Sequence, residues 1–208
     1  MMDLGLRERK KRATRRMISD TATKLFTDRG FDRVTIDEVA AAANVSKMTV
    51  FNYFARKEDL FFDETDAAQT LIRDALAARG RRSPLAAVQT LARDMVATQH
   101  DLAKVTPRIA AFWKAVAESP ALRARTRELN EELERDLARL LADSVGARTV
   151  DPVARLVSGL LLGAWRVAFR EALRRQRTGH AATKQVLRAL LDRGFAAARA
   201  AARHSPYV

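Results

Sequence analysis

One short segment carries side chains whose chemistry suits nucleic acid rather than catalysis. Lys47 and Thr49 stand at the start of a short predicted helix, where they can reach phosphates or base edges, and the Thr49 methyl can contact a thymine methyl. Asn52 can both donate and accept hydrogen bonds, which is the pairing used to read adenine. Tyr53 and Lys57 are better placed for phosphates, contacts that position a protein without reading sequence. The segment is therefore predicted to bind double-stranded DNA.

Two short helices joined by a tight turn would hold these side chains. Thr35 and Glu38 have the spacing of a capping box at the start of the first helix. Asn44 tolerates the left-handed conformation that a tight turn needs, and Ser46 can cap the second helix, over 47–53. This pattern predicts a helix-turn-helix, whose second helix can lie in the major groove of DNA.

A basic stretch precedes this motif. Residues 1–16 contain seven Arg or Lys and two acidic residues, and Arg15 and Arg16 end the stretch. We predict that this stretch forms an arm that follows the DNA backbone or enters a minor groove. Arg15 and Arg16 are accordingly candidate DNA-binding residues.

The pattern around the predicted helix-turn-helix resembles the DNA-binding domain of the tetracycline-repressor (TetR) family of transcriptional regulators. The residues that carry the resemblance are Arg15, Ile18, Ala22, Leu25, Phe26, Gly30, Phe31, Thr35, Ile36, Val39, Ala40, Ala43, Val45, Ser46, Thr49, Val50, Phe51, Tyr53, Phe54, Lys57, Leu60 and Phe61. They cover about a quarter of the chain. The resemblance implies a DNA-binding regulator, most simply a repressor released from its operator by a small molecule, with activation as the alternative.

Three positions depart from that family's pattern. Asn44 stands where members usually carry glycine, which asparagine's tolerance of positive φ accommodates. Met48 replaces a small residue and can add an apolar contact to a base. Phe51 stands where a tyrosine often donates to phosphate, so that hydrogen bond is lost. Met48, Phe51 and Thr35 complete the predicted DNA-binding set.

The rest of the chain is predicted to be helical as well. Four prolines follow a side chain that can cap a helix, and no segment alternates with the period of a strand. The predicted fold is all-α with about nine helices, among them helices over 57–79 and 84–104. We predict a helix-turn-helix domain over 1–56, with its basic arm, and an effector-binding and dimerisation domain over 57–208.

The resemblance implies a homodimer in which the last two helices pair with those of a second subunit. Gly159 and Gly163 lie about one turn apart and leave a groove where another helix can approach. The same glycines would equally make room for a ligand or for a helix of their own subunit. Twofold symmetry would place the recognition helices about 34 Å apart on a pseudo-palindromic operator.

Bulky or polar residues on inward faces of the middle helices are the candidates for the effector pocket. They are Met95, Gln99, His100, Phe112, Trp113, Asn130, Trp165 and Phe169. A mostly apolar cavity with a few polar groups is the usual ligand site, although each aromatic residue also fits an ordinary core position. The effector itself is unknown. We expect its binding to shift the 57–79 helix and so change the spacing of the two recognition helices.

Other classes of protein fit the sequence less well. The three histidines lie far apart, and neither a phosphate-binding glycine loop nor a serine elbow is present, so we expect no enzyme, no metal and no cofactor. The net charge of +13 also suits a non-specific DNA binder, but charge attraction alone needs no helix-turn-helix. The chain has no cysteine and no recognisable signal peptide, and its apolar runs are short. We therefore expect a cytoplasmic protein with no membrane partner.

Overall fold

A computed structural model describes residues 5–63, 65–176 and 180–208. In these residues the fold is all-α, as predicted, with nine α-helices and no strand. The helices are α1 (Leu6–Arg29), α2 (Ile36–Ala42), α3 (Lys47–Tyr53), α4 (Thr65–Ala77), α5 (Pro84–Thr98), α6 (Pro107–Glu118), α7 (Pro120–Ser144), α8 (Pro152–Arg175) and α9 (His180–Ala201). Two short 3-10 turns, Phe31–Arg33 and Lys57–Leu60, complete the regular structure of the described residues.

The four predicted proline-led helix starts are all confirmed. In each, the capping oxygen accepts a hydrogen bond from the N–H three residues later: Ser83 from Ala86 (3.3 Å), Thr106 from Ile109 (3.2 Å), Ser119 from Leu122 (3.4 Å) and Asp151 from Ala154 (2.9 Å). The proline occupies the first helical position, where a missing N–H leaves nothing unsatisfied. These contacts are local, and they fix where α5, α6, α7 and α8 begin.

Two predicted helices have the wrong bounds. The helix predicted over 57–79 begins only at Thr65, because the preceding 3-10 turn places Leu60 fully in a core. The helix predicted over 84–104 ends at Thr98, because Gln99 adopts a left-handed conformation (φ 55°, ψ 44°). The N–H of His100 then donates to the Met95 carbonyl at 2.9 Å, which closes the helix.

The chain divides into two compact units. The N-terminal unit contains the described residues up to Thr65 together with Ala111–Thr126, and the C-terminal unit contains Asp66–Ala110 and Arg127–Val208. The predicted division at residue 56/57 treats each domain as one continuous stretch, whereas the N-terminal unit is built from two. We call Ala111–Thr126, the end of α6 and the start of α7, the α6–α7 segment.

The C-terminal unit is organised around the packing of α8 against α9. Gly194 allows the two helices to approach closely, since a Cβ there would lie 2.1 Å from the Cβ of Ala164. Among the described residues, α8 is the one helix long and apolar enough to cross a membrane by length and composition. Core helices of soluble proteins meet the same criterion, and Val157 and Leu161 of α8 are buried in this unit's core.

A contact near residue 207 joins the starts of two helices in this unit. The Tyr207 side chain is fully buried, its hydroxyl donates to the Asp151 carboxylate, and its carbonyl accepts from the Leu85 N–H at 3.1 Å. Burial and the neighbouring carboxylate raise the pKa of Tyr207 to about 12. The hydrogen bond from Tyr207 in turn holds the pKa of Asp151 below its usual value. Tyr207 thereby links the first turn of α5 to the cap of α8.

Candidate nucleic-acid interface

The frame of the helix-turn-helix has the predicted local contacts. The Thr35 hydroxyl accepts from the Glu38 N–H (3.2 Å) and the Glu38 carboxylate accepts from the Thr35 N–H (2.8 Å), which completes the capping box. The same N–H and hydroxyl of Thr35 lower the pKa of Glu38. Asn44 has the expected left-handed backbone, with φ at 52°, and the Ser46 hydroxyl accepts from the Thr49 N–H at 2.9 Å. The starts of α2 and α3, and the turn between the two helices, are therefore each fixed by local contacts or backbone preference.

The inner face of α3 is anchored in the core of the N-terminal unit. Val50 and the following Phe54 are buried, together with Val39 and Ala40 of α2. Because one face of this seven-residue helix is held in this way, the side chains on its opposite face must point away from the core. The buried pair thus determines which residues of α3 can meet DNA.

The outer face of α3 presents four exposed side chains, Lys47, Met48, Phe51 and Asn52. Met48 is 69% exposed and Phe51 45% exposed. Lys47 donates to the Asp37 carboxylate at 2.9 Å, an exposed ion pair that a phosphate could replace at little cost. Thr49 is half-buried, and its hydroxyl shares a hydrogen bond of 2.8 Å with that of Ser46.

Arg15 is engaged inside the N-terminal unit. Its guanidinium donates to the Asp63 carboxylate at 2.6 Å and to the Tyr53 carbonyl at 2.7 Å, and it lies 4.4 Å from the centre of the Phe54 ring. These contacts tie α1 to the end of α3. The geometry indicates a positioning role, and a phosphate contact by Arg15 stays a prediction.

Lys57 is likewise held by its own unit. Its ammonium donates to the Phe31 carbonyl and lies 4.2 Å from the centre of the Phe31 ring and 5.6 Å from that of Phe26. Burial lowers the pKa of Lys57. Its predicted DNA contact is not tested by this arrangement, nor is that of Tyr53, whose half-buried ring packs against the same core.

The described part of the basic stretch is helical, because α1 begins at Leu6 and runs to Arg29 as one helix, so only its predicted contact with the DNA backbone stays a prediction. An α-helix with its side chains is about 10–12 Å across, so it cannot enter a minor groove about 6 Å wide. Arg16 lies exposed on this helix, as do most of the basic residues before it. Their charges can attract phosphate without reading bases.

Sequence reasoning missed the α6–α7 segment, which packs on the same core. Phe112 stacks on Phe61, with ring centres 4.4 Å apart, and the Ser119 hydroxyl donates to the Asp32 carboxylate at 2.9 Å. Arg125 donates to Asp59 at 2.9 Å, and their side chains are only 15% and 20% exposed. Predicting these pairs needs contacts across 51 to 87 residues, which no local pattern supplies.

Three of the eight predicted pocket residues meet at one core of the C-terminal unit. Met95 is buried there, and Trp165 and Phe169 pack against the same cluster. Gln99 lines a cleft of about 10 Å³ in this unit, together with Val96 of α5, Lys104 and its neighbours in the loop after α5, and Thr183, Lys184 and Leu187 of α9. That volume is about one water molecule, so a larger ligand would require these helices to repack.

The other predicted pocket residues are distributed elsewhere. Phe112 and Trp113 belong to the N-terminal unit, where their rings are 5.5 Å apart. The His100 ring accepts from the Leu102 N–H at 3.3 Å in the loop after α5, and Asn130 is half-buried on α7. The structure does not gather the eight residues into one cavity, and their role stays a prediction.

The two glycines of α8 have different surroundings. A Cβ at Gly159 would lie 3.2 Å from the Glu134 carboxylate of α7, whereas one at Gly163 would meet nothing within 4 Å. Gly163 therefore leaves open space on the outside of α8, and Gly159 also accommodates a neighbour in its own subunit. The close approach of α8 to α9 depends on Gly194, which the sequence analysis did not single out.

Comparisons with known proteins agree with this description. Residues 18–63 match the model of "Bacterial regulatory proteins, tetR family", and residues 99–203 match that of the "MftR C-terminal domain". The HTH-type transcriptional regulator TcmR of Streptomyces glaucescens is 30% identical over 193 residues, covering 90% of this chain and 85% of that protein.

Solved structures share the fold at low sequence identity. NalD of Pseudomonas aeruginosa, a secondary repressor of the MexAB-OprM multidrug efflux pump, superposes with a TM-score of 0.58 at 19% identity, covering 89% of this chain and 96% of NalD. The repressor FadR of Thermus thermophilus, in complex with lauroyl-CoA, gives a TM-score of 0.54 at 20% identity, covering 88% and 92%. The family model matches the helix-turn-helix, and the match to TcmR extends along nearly the whole chain. The protein therefore belongs to the tetR family of bacterial regulatory proteins, and it is a DNA-binding transcriptional regulator rather than an enzyme.

Proposed function

We propose that the protein acts as a cytoplasmic homodimer that represses transcription from a pseudo-palindromic operator and leaves it when a small-molecule effector binds. The observation that carries this proposal is the exposed face of α3, which is held outward by the buried Val50 and Phe54 and by capped helix ends. A short capped helix of this kind is the element that enters the major groove in helix-turn-helix proteins.

An unpaired apolar face on α8 supports the dimer. Leu156 and Val167 are 52% and 56% exposed, and Gly163 between them faces open space. These residues are spaced seven and four apart, so they share one face of the helix. A second copy of α8 would remove this face from water and bring the two DNA-binding units into a symmetric pair.

The core around Met95, Trp165 and Phe169 supports an effector that is mostly apolar. The FadR structure holds lauroyl-CoA, so the fold can admit a small ligand. Because the cleft beside Gln99 has a volume of only about 10 Å³, binding would separate α5 from α9 or otherwise repack them. Such a ligand would favour a conformation different from the one described here.

The chain offers two connections by which that change could reach the DNA-binding unit. One is α4, which begins at the boundary between the units, and the other is the α6–α7 segment, whose two helices continue into the C-terminal unit. Phe112, Ser119 and Arg125 hold that segment on the core of the DNA-binding unit. A shift of α6 or α7 would therefore be transmitted to that core. In place of the predicted 57–79 helix, α4 and the α6–α7 segment are therefore the elements proposed to transmit effector binding to the DNA-binding unit.

Fluorescence anisotropy tests the proposal with the full chain. The DNA upstream of its own gene is compared with a scrambled duplex over a salt series, and a preference of about a thousandfold at physiological salt is expected. Lys47→Ala should weaken the specific complex more than Lys114→Ala, which removes the same charge from an exposed position on α6. Equal, steeply salt-dependent binding to both duplexes, and to DNA selected from a random library, would instead identify a non-specific binder.

A further inference from the structure

Two large apolar side chains lie close together on the exposed outer face of α3. Met48 is 69% exposed and Phe51 45% exposed, and residues three apart are neighbours on a helix surface. We call this pair the apolar ridge. The Phe51 ring offers no hydrogen bond to phosphate, and the Met48 thioether is only a weak acceptor. If this face of α3 meets DNA, the apolar ridge gains most where it is buried against an apolar group.

The largest apolar group on the base edges of the major groove is the 5-methyl of thymine. The ring nitrogens, carbonyl oxygens and amino groups of those edges are hydrogen-bond acceptors or donors, which would lose water against Met48 or Phe51 without gaining a partner. We infer that the apolar ridge makes Met48 and Phe51 specificity-determining residues that read thymine methyl groups in each half of the operator.

The neighbours of the apolar ridge favour the same base pair. Asn52 follows Phe51 directly and is exposed, and its amide can form two hydrogen bonds with adenine. On the same helix Lys47 supplies the one charge, and it is paired with Asp37. The face thus combines a reader of adenine with a reader of thymine methyl groups, so the half-site should contain an A·T-rich step opposite α3. This inference rests on the proposed function only in requiring a preferred DNA site.

Removal of single methyl groups from DNA tests the inference. The operator is first selected from a random duplex library with the full-length protein. Each thymine of the half-sites is then replaced by deoxyuracil, which keeps the hydrogen bonds and lacks the methyl. Burial of one methyl group corresponds to about a fourfold change in affinity, so replacing a contacted thymine in both half-sites should weaken binding about fifteenfold.

Protein variants assign the effect to the apolar ridge. Met48→Ala should abolish the sensitivity to deoxyuracil at one thymine position and Phe51→Ala at another, while Met48→Leu, which keeps the apolar volume, should retain it. Both residues are exposed, so these variants should fold, and circular dichroism checks this. Thymines outside the half-sites serve as the DNA control and should be insensitive.

Three results would overturn the inference. They are a selected half-site without thymine opposite α3, a change below twofold at every deoxyuracil position, or equal sensitivity in wild type, Met48→Ala and Phe51→Ala. A change below twofold at every deoxyuracil position would mean that the apolar ridge lies against deoxyribose instead. Each of these outcomes leaves sequence-specific binding intact, whereas failure to select any preferred DNA would count against the proposed function instead.

Discussion

Replacing Tyr207 with phenylalanine isolates one hydroxyl in the core of the C-terminal unit. That hydroxyl donates to the Asp151 carboxylate, which also caps α8 through the Ala154 N–H at 2.9 Å. The substitution keeps the buried ring and its packing, so the change in the free energy of unfolding reports mainly the hydrogen bond. The question it answers is whether the link between the starts of α5 and α8 stabilises the effector-binding unit.

The expected loss follows from the partners. Hydrogen bonds to charged groups contribute about 1.5–3 kcal/mol, and Asp151 keeps its bond to Ala154 in the variant, so we expect the lower part of this range, about 1.5–2 kcal/mol. In a chain of this length that lowers Tm by about 3–8 °C. Tyr207→Ala also removes the ring and should cost about 3–5 kcal/mol more.

The two tryptophans allow each unit to be followed separately, because Trp113 lies in the N-terminal unit and Trp165 in the C-terminal unit. Urea unfolding of a Trp113→Phe background therefore reports the unit that contains Tyr207. Tyr53→Phe, which changes the chain's other tyrosine, is the matched control and should leave that transition unchanged.

The dependence on pH provides an independent check. The folded pKa of Tyr207 is raised from 10.0 to about 12, so its contribution is complete below pH 10 and is lost as the pH rises from 10 towards 12. The folded pKa of Asp151 is lowered from 3.8, so its contribution is present above that value and is lost as the pH falls through the folded pKa. Tyr207→Phe should lack the alkaline loss. A variant within about 0.5 kcal/mol of wild type at pH 7, or one with the same alkaline profile, would refute the reasoning.

Three further predictions concern the DNA-binding unit and the dimer. Arg125→Ala and Asp59→Asn should each destabilise the N-terminal unit by about 1–3 kcal/mol, as measured by Trp113 fluorescence during unfolding. The double variant should lose less than the sum of the two single losses, and additive losses would show that the pair does not interact. Thr35→Ala should cost about 1 kcal/mol and speed amide exchange in α2, with unchanged exchange arguing against the cap. Val167→Glu should shift light scattering from dimer to monomer while Val167→Leu does not, and a dimeric glutamate variant would exclude this face of α8.

The parts of the fold that the sequence predicts are those whose cause is local. A capping hydroxyl and the N–H that it accepts from lie three residues apart, so Thr35, Ser46 and Asp151 could be assigned to their helices without a tertiary contact. The turn at Asn44 follows from the backbone preference of a single residue. The core positions Val50 and Phe54 follow in turn once α3 has been placed.

The parts that the sequence does not predict depend on distant partners. Leu60 and Phe61 interrupt an otherwise helical pattern because the core of the N-terminal unit takes both side chains, and Phe61 meets Phe112 across 51 residues. Gln99 ends α5 in a left-handed conformation that glycine usually adopts, and no neighbouring residue predicts that the helix ends there. Such features arise from packing, which overrides local preference.

Arg15 and Lys57 show that a basic side chain near the DNA interface can also hold the protein's own fold together. Both are candidates because arginine and lysine bind phosphate; in addition, Arg15 joins α1 to the end of α3 and Lys57 lies over Phe31, and their contacts with DNA stay predictions. Across α3 itself, Lys47 supplies the one cationic side chain. Within residues 1–60 the basic excess lies instead on the first turns of α1, where it can attract any phosphate backbone. We therefore expect attraction and discrimination to depend on different helices: the basic first turns of α1 should set how strongly binding depends on salt, and the outer face of α3, on which Lys47 is the one charge, should set which sequence is preferred.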